Sequence, residues 1–263
     1  MKTQIQIQKD WITNFDERYF QSLRLLKYGF KHAFFAKRRK DQGPESLVKL
    51  ISKKSSIHIA KQIHGNNILE AYKAINKPWP CADGIISTNN SQSLWVYTAD
   101  CIPILFADKR TGQVAAVHAG WKGLSLKILK KTLSKLQLLG SNLEDLIVIL
   151  GPSISQNKYQ VNQEIVLGVF NTIESKKDLR KDFKQPINKM INLGIVKEDI
   201  IKGKFLLDIR LLALTQLKKE GLSANQIDIN KTCTFSNKDL FYSYRRDKEK
   251  NIQWSCIVSN ERI

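Results

Sequence analysis

Apolar and polar residues alternate through TQIQIQ at residues 3–8, the two-residue period of a half-buried strand. GFKHAFFAK (29–37) and SIHIAKQIHG (56–65) predict two further strands, the second running into Gly65, and NNILEAYK (66–73) a short one. KRRKDQGP (37–44) is a polar loop with breakers, and PESLVKLIS (44–52) a short helix with Pro44 in its first turn. NKPWPCADG (76–84) is a proline-rich connection, after which the apolar runs shorten and fill with β-formers. DGIISTNN (83–90), SLWVYTAD (93–100) and IPILFAD (102–108) are bounded by turn residues and read as strands. DKRTGQ (108–113) has the chemistry of a hairpin turn, and VAAVHAG (114–120) is the returning strand. Leu124, Ile128, Leu129, Leu133, Leu136 and Leu139 recur at three or four and predict one amphipathic helix over 122–139.

LEDLIVILG (143–151) ends in a buried strand, NQEIVLGVFNTI (162–173) is helical, and ESKKDLRKDFKQP (174–186) is a charged surface excursion. LLDIRLLALTQLKKEG (206–221) holds a helix capped by Asp208 and ended by Gly221, with Lys218 and Lys219 at its negative end. QIDIN (226–230) and NIQWSCIVS (251–259) close the chain as strands. Strands and helices mix without a βαβ rhythm, so the pattern predicts a mixed-sheet α/β or α+β fold. With no internal repeat or linker, a single domain over residues 1–263 is expected.

Composition changes this picture little. Hydrophobic residues make up 42% and charged residues 25%, enough for a full core and against wholesale disorder. No apolar run reaches the length of a membrane span, and MKTQIQIQKDWITNF lacks an apolar signal segment, so a cytoplasmic protein is expected. Cys81, Cys101, Cys233 and Cys256 show no close pairing and are expected as free thiols. The net charge of +19 raises the alternative of a basic nucleic-acid-binding protein. Its lysines and arginines are dispersed, however, without an aromatic-interleaved stripe, which argues for a solvated surface instead.

Candidate chemistry gathers where apolar strands meet polar turns. His64 stands in QIHGNN, Cys101 follows TAD, and His118 stands in VHAGWKG. Two imidazoles and a thiolate suit zinc with an open fourth position. The same residues equally suit a nucleophilic Cys101 with His118 as its base and Asp100 orienting the imidazole, as in a cysteine hydrolase. Residue types alone leave both readings open. Arg245 and Arg246, in DLFYSYRRD, suit bidentate recognition of phosphate or carboxylate, and Lys122 brings a cation to the start of a helix that itself favours anions. GPSISQNKYQV (151–161) reads as a loop that approaches something closely.

Taken in order, QIHG, ADGIIST, TADCIPILFAD, GQVAAVHAGWKGL, LGPSISQNKYQV, LLDIRLLALTQL and CTFSNKDLFYSYRRD make the chain resemble the laccase-domain, YfiH-like family. Its members were first described as polyphenol oxidases and later as purine nucleoside phosphorylases. The resemblance runs from about His32 to Trp254. It implies a four-layer α/β/β/α domain with mixed sheets. It also implies a metal site of His64, Cys101 and His118, with zinc foremost and copper as the alternative. The implied activity is phosphorolysis of adenosine, inosine and methylthioadenosine, with adenosine deamination beside it. Purine nucleosides and phosphate are then the partners.

Three departures stand out. The family's glycine-rich loop is missing after His32 and Phe34, Asn157 and Lys158 replace cysteines, and Lys122 replaces an arginine. Phosphorolysis needs cations around the attacking phosphate, for which Lys122, Arg245 and Arg246 are candidates. Deamination needs a carboxylate to carry protons, and Asp100 is named for it alongside Asp83 and Asp247. A multicopper oxidase would need many more histidines than the four present.

Overall fold

Along β9 (Ile102–Asp108) successive side chains part company. Ile102, Ile104 and Phe106 enter one apolar cluster, and Leu105 and Ala107 another. The same split divides β10 (Val114–Ala119), with Ala115, Val117 and Ala119 on one side and Val114 and Ala116 on the other. A strand buried on both faces lies inside a layered molecule. The computed structural model describes residues 5–8, 10–14, 16–38, 42–174 and 184–260 and shows these layers directly.

One sheet has six strands in the order β15 (Ile227–Ile229), β11 (Leu146–Leu150), β9, β10, β7 (Gly84–Ile86) and β6 (Ile68–Glu70). The other has seven: β1 (Ile5–Gln8), β2 (Trp11–Asn14), β3 (Tyr19–Ser22), β4 (His32–Phe35), β16 (Gln253–Val258), β8 (Gln92–Thr98) and β5 (Ser56–Ile59). Both are mixed: β5 runs parallel to β8, β6 to β7, and β11 to β15, whereas the other pairs are antiparallel. Between the sheets, Phe34, Leu94, Val96 and Ile257 of the larger one meet Ile85, Leu105, Ala116 and Ile149 of the smaller.

Helix α2 (Pro44–Ile51) covers the outer face of the larger sheet through Leu47 and Val48 against Phe35, Ile59 and Trp95. On the outer face of the smaller sheet lie α3 (Trp121–Ser125), α4 (Ile128–Leu138), α5 (Gln163–Ile173), α6 (Lys184–Asn192) and α7 (Ile209–Lys219). The fold is therefore α+β with mixed sheets, arranged as helix, sheet, sheet and helices. A small sheet, β12 (Gln160–Asn162), β14 (Lys204–Leu207) and β13 (Val196–Glu198), packs Val161, Phe205 and Leu207 into the helical side.

Most predicted elements are present, including the cap of α7, where the Asp208 carboxylate accepts from the backbone N–H of Arg210 and Leu211. The helix expected over 122–139 is instead two. Lys127 adopts a left-handed conformation (φ 60°) between α3 and α4, and the Leu126 carbonyl accepts from the Asn66 side chain. No glycine or proline marks that break, because its partner comes from a loop distant in sequence. DLFYSYRRD forms a turn and the one-turn helix α8 (Tyr244–Asp247). The pattern gave no sign of β2, β3 or the small sheet. Most of the charged excursion, residues 175–183, lies outside the described residues, as do residues 39–41 of the polar loop.

At Gly151 the two sheets approach closely. A Cβ placed there would lie 2.3 Å from the Phe34 ring and 2.9 Å from Pro103 Cγ. Gly151→Ala should therefore cost about 1–3 kcal/mol of stability, as overpacking of a tight core does. Thermal unfolding checks this, and an unchanged Tm would show that the sheets can part without strain.

Candidate functional site

Strand register brings four sequence-distant segments to one end of the six-stranded sheet. In the antiparallel pair β9–β10, Ala119 lies opposite Ile102 and His118 opposite Pro103, so Cys101 and the end of β10 are neighbours. β7 pairs with β10 through Gly84 and Val117, placing Asp83 at the same end. β6 runs parallel to β7, so the preceding loop, with His64, arrives there too.

The donor atoms of His64, Cys101 and His118 all lie within 4.8 Å of one another. The two imidazole rings meet edge to face, with centroids 4.7 Å apart. His64 is exposed, Cys101 half-buried and His118 buried, so the cluster opens to solvent on the His64 side. Gly120 makes room for it, because a Cβ there would stand 2.7 Å from the Cys101 sulfur. Gln62 fixes the His64 loop to β8: its amide donates to the Tyr97 carbonyl at 2.7 Å and accepts from the Tyr97 N–H at 2.8 Å. His64 itself sits in the left-handed region (φ 57°), a conformation that surrounding bonds must hold.

Those bonds come largely from Asp83. Its Oδ1 accepts from the His64 N–H at 2.9 Å and from His118 Nδ1 at 2.8 Å. Its Oδ2 accepts from the Gly65 N–H at 2.6 Å and the Ile63 N–H at 3.2 Å. With Nδ1 donating to Asp83, His118 Nε2 is left to face Cys101. Burial alone would raise the Cys101 thiol, but the His118 charge and hydrogen bonds from His118 and His64 outweigh it and bring it to about 6. Burial would likewise lower His118, yet the Cys101 charge and the Asp83 hydrogen bond raise it to about 9. Asp83 is held below its usual range: burial opposes this, and His118 and the Gly65 N–H prevail.

A thiolate and two imidazoles with inward-facing nitrogens fit a single zinc or copper ion. They do not fit a set of coppers. His32 is engaged by the Phe30 carbonyl and the Ser22 N–H, and His58 by the Ala71 carbonyl and Ser56, so both belong to the packing of the larger sheet.

Other candidates fare differently. Arg245 places its guanidinium 4.8 Å over the Tyr159 ring and donates one Nη1 bond to the Gln160 carbonyl, and among the described residues Nε and Nη2 have no hydrogen-bond partner. Lys122 is exposed on the first turn of α3, directly after Gly120. Arg246, expected as a second phosphate clamp, is used up structurally. It pairs with Asp247 through Nε and Nη2, both at 2.7 Å, and donates to the carbonyls of Thr234, Phe235 and Phe241. Both carboxylate oxygens of Asp247 are thereby engaged by Arg246. Asp100, expected as a proton carrier or as the group orienting His118, turns its carboxylate to Thr234, Ser243 and the Arg245 N–H instead. Asp83 takes the orienting place. Tyr159 was not singled out by the sequence. Its buried phenol is pushed well above the ordinary range by burial and by the Cys101 charge, with the Arg245 charge opposing.

Residues 41–259 match the family model described as multi-copper polyphenol oxidoreductase laccase. A Synechocystis protein named purine nucleoside phosphorylase slr1573 is 38% identical over 236 residues, covering 87% of this chain and 89% of its own length. Purine nucleoside phosphorylase YfiH of Escherichia coli K12 is 32% identical over 190 residues, 72% of this chain and 68% of its own. The crystal structure of YlmD from Geobacillus stearothermophilus shares the fold with a TM-score of 0.76 at 20% identity, over 98% of this chain and 99% of the other. The chain thus belongs to the multi-copper polyphenol oxidoreductase laccase family.

Proposed function

We propose that this protein is a purine nucleoside phosphorylase that cleaves adenosine, inosine and methylthioadenosine with phosphate and deaminates adenosine as a side activity. The observation that carries the proposal is the His64, Cys101 and His118 cluster braced by Asp83, in a chain whose relatives bear that name. His64, Cys101 and His118 would hold one ion, zinc foremost and copper as the alternative. Such an ion supplies a Lewis acid beside the purine.

The chain's own residues supply the remainder. Phosphorolysis builds positive charge on the ribose as the purine departs, so the phosphate must be held close and oriented. Arg245, pinned by Gln160 and stacked on Tyr159, keeps two donors for that anion, and Lys122 adds a mobile charge at the rim. Asp83 holds His118 through Nδ1, so that Nε2 is the nitrogen left for the ion.

A cysteine hydrolase is the second reading, and one observation favours it. Cys101, His118 and Asp83 line up as thiol, imidazole and orienting carboxylate. His64, within 4.8 Å of the same sulfur, has no task in that scheme and favours the first reading. Chromatography of adenosine incubated with the zinc-loaded protein tests the proposal. Adenine formed only with phosphate present is expected, with some inosine. Neither product, with metal bound, would reject the nucleoside reading and leave the hydrolase.

A further inference from the structure

We infer that Asp100 is a positioning residue, which ties the Cys101 loop to Arg245 and thereby sets the strength of anion binding beside the metal ligands. The inference rests on the reading of Arg245 as the phosphate clamp.

The carboxylate of Asp100 is buried and meets three donors. Oδ1 accepts from Thr234 Oγ1 at 2.7 Å, and Oδ2 from Ser243 Oγ at 2.9 Å and from the Arg245 N–H at 2.7 Å. Oδ2 has both lone pairs filled, and the carboxylate partner of His118 is Asp83 instead. The main chain of Asp100 makes a second link, because its carbonyl accepts from the Ile154 N–H at 2.9 Å. Ile154 belongs to the loop that continues to Tyr159 and Gln160, the two residues that hold the Arg245 guanidinium. Asp100 therefore fixes Arg245 at both ends: the backbone through its carboxylate and the side-chain cradle through its carbonyl.

Its backbone supports the same conclusion. Asp100 has φ 97°, a region that a side chain enters only when its surroundings compel it. The next residue is Cys101. The turn that aims the thiol at the two histidines thus also aims the carboxylate at the arginine loop.

The test is calorimetric titration of inorganic phosphate into the zinc-loaded protein, with metal content measured alongside. Asp100→Gly removes the carboxylate at a φ that glycine adopts freely, and phosphate affinity should fall about tenfold or more, the loss expected for a buried hydrogen-bonding partner. Zinc content should not change. Asp100→Asn keeps an acceptor and tolerates positive φ, so it should recover most of the affinity. Thr234→Val, which spares the backbone, should give a partial loss and serves if the glycine variant does not fold.

If Asp100→Gly and Thr234→Val bind phosphate like the unaltered protein while Arg245→Ala binds weakly, the inference fails and the clamp stands. If Arg245→Ala binds as tightly as the unaltered protein, or neither binds, the clamp itself is wrong and the inference falls with it. If Asp100→Asn turns over no faster than Asp100→Gly at unchanged phosphate affinity, Asp100 is a proton carrier, and the positioning role is overturned.

Discussion

Cys101→Ala should lose bound metal and turnover together. The thiolate is one of three donors within 4.8 Å of one another, and among the described residues no further His, Cys, Asp or Glu joins that group. Loss of a supporting hydrogen bond around a metal ligand costs about 10–100-fold in affinity, and loss of the ligand itself should cost more. Metal content by elemental analysis and adenosine turnover, measured on the same preparation, check this. A variant that keeps its full metal content and loses only turnover would convert Cys101 from ligand to nucleophile, and the hydrolase reading would prevail. The metal-free protein offers an independent check. With His118 and His64 holding the Cys101 thiol at about 6, its alkylation rate should fall as the pH drops through that value. An ordinary thiol, with a pKa of about 8.5, is already losing rate at neutral pH. His118→Gln should move the midpoint upward, because it removes the largest stabilising charge.

The individual residues of this site were legible in the sequence, but their convergence was not. His64, Cys101 and His118 each stand where an apolar run ends, and that position alone marks them as presented rather than packed. What joins them is the register of β6, β7, β10 and β9, in which parallel and antiparallel pairings bring three loops to one end. No spacing rule encodes that. His32 and His58 carry the same side chain, yet lie on β4 and β5 with carbonyl partners close by. Burial does not separate them from His118, which is as deeply buried; the difference is that His118 pairs with the Asp83 carboxylate and adjoins Cys101.

Arg245 and Arg246 show the limit most sharply. They are adjacent and chemically alike, and the sequence offered both as anion clamps. The one-turn helix α8 sends them to opposite tasks, one over Tyr159 and the other into Asp247 and three carbonyls. A single turn of helix rotates successive side chains by about 100°. Neighbours in sequence therefore cannot share a small target. The break at Lys127 has a similar origin: the apolar spacing runs on unbroken, and only the contact between Asn66 and Leu126 shows why the helix stops.

The second large effect belongs to Asp83. Four donors converge on its carboxylate, three of them the consecutive backbone N–H groups of Ile63, His64 and Gly65 and the fourth His118 Nδ1. One side chain thus orients both imidazoles, His118 directly and His64 through the loop that carries it. Asparagine at this position keeps the shape and one acceptor but turns an NH₂ group toward donors, which cannot pair with it. Asp83→Asn should therefore weaken metal binding by about 10–100-fold, the usual cost of losing such support. It should also destabilise the fold, since a buried donor left without its acceptor costs about 1–3 kcal/mol. The pH dependence has a definite sign. The Asp83 carboxyl is held below its unfolded value, so its contribution is present above that value and is lost as pH falls through the lower, folded one. Competition with a chromophoric chelator measures the affinity, and thermal unfolding measures the stability. Full metal affinity in Asp83→Asn would mean that the histidines hold their places without it. The left-handed turn at His64 would then need another cause, which the remaining contacts of that loop, through Gln62 to Tyr97, would have to supply.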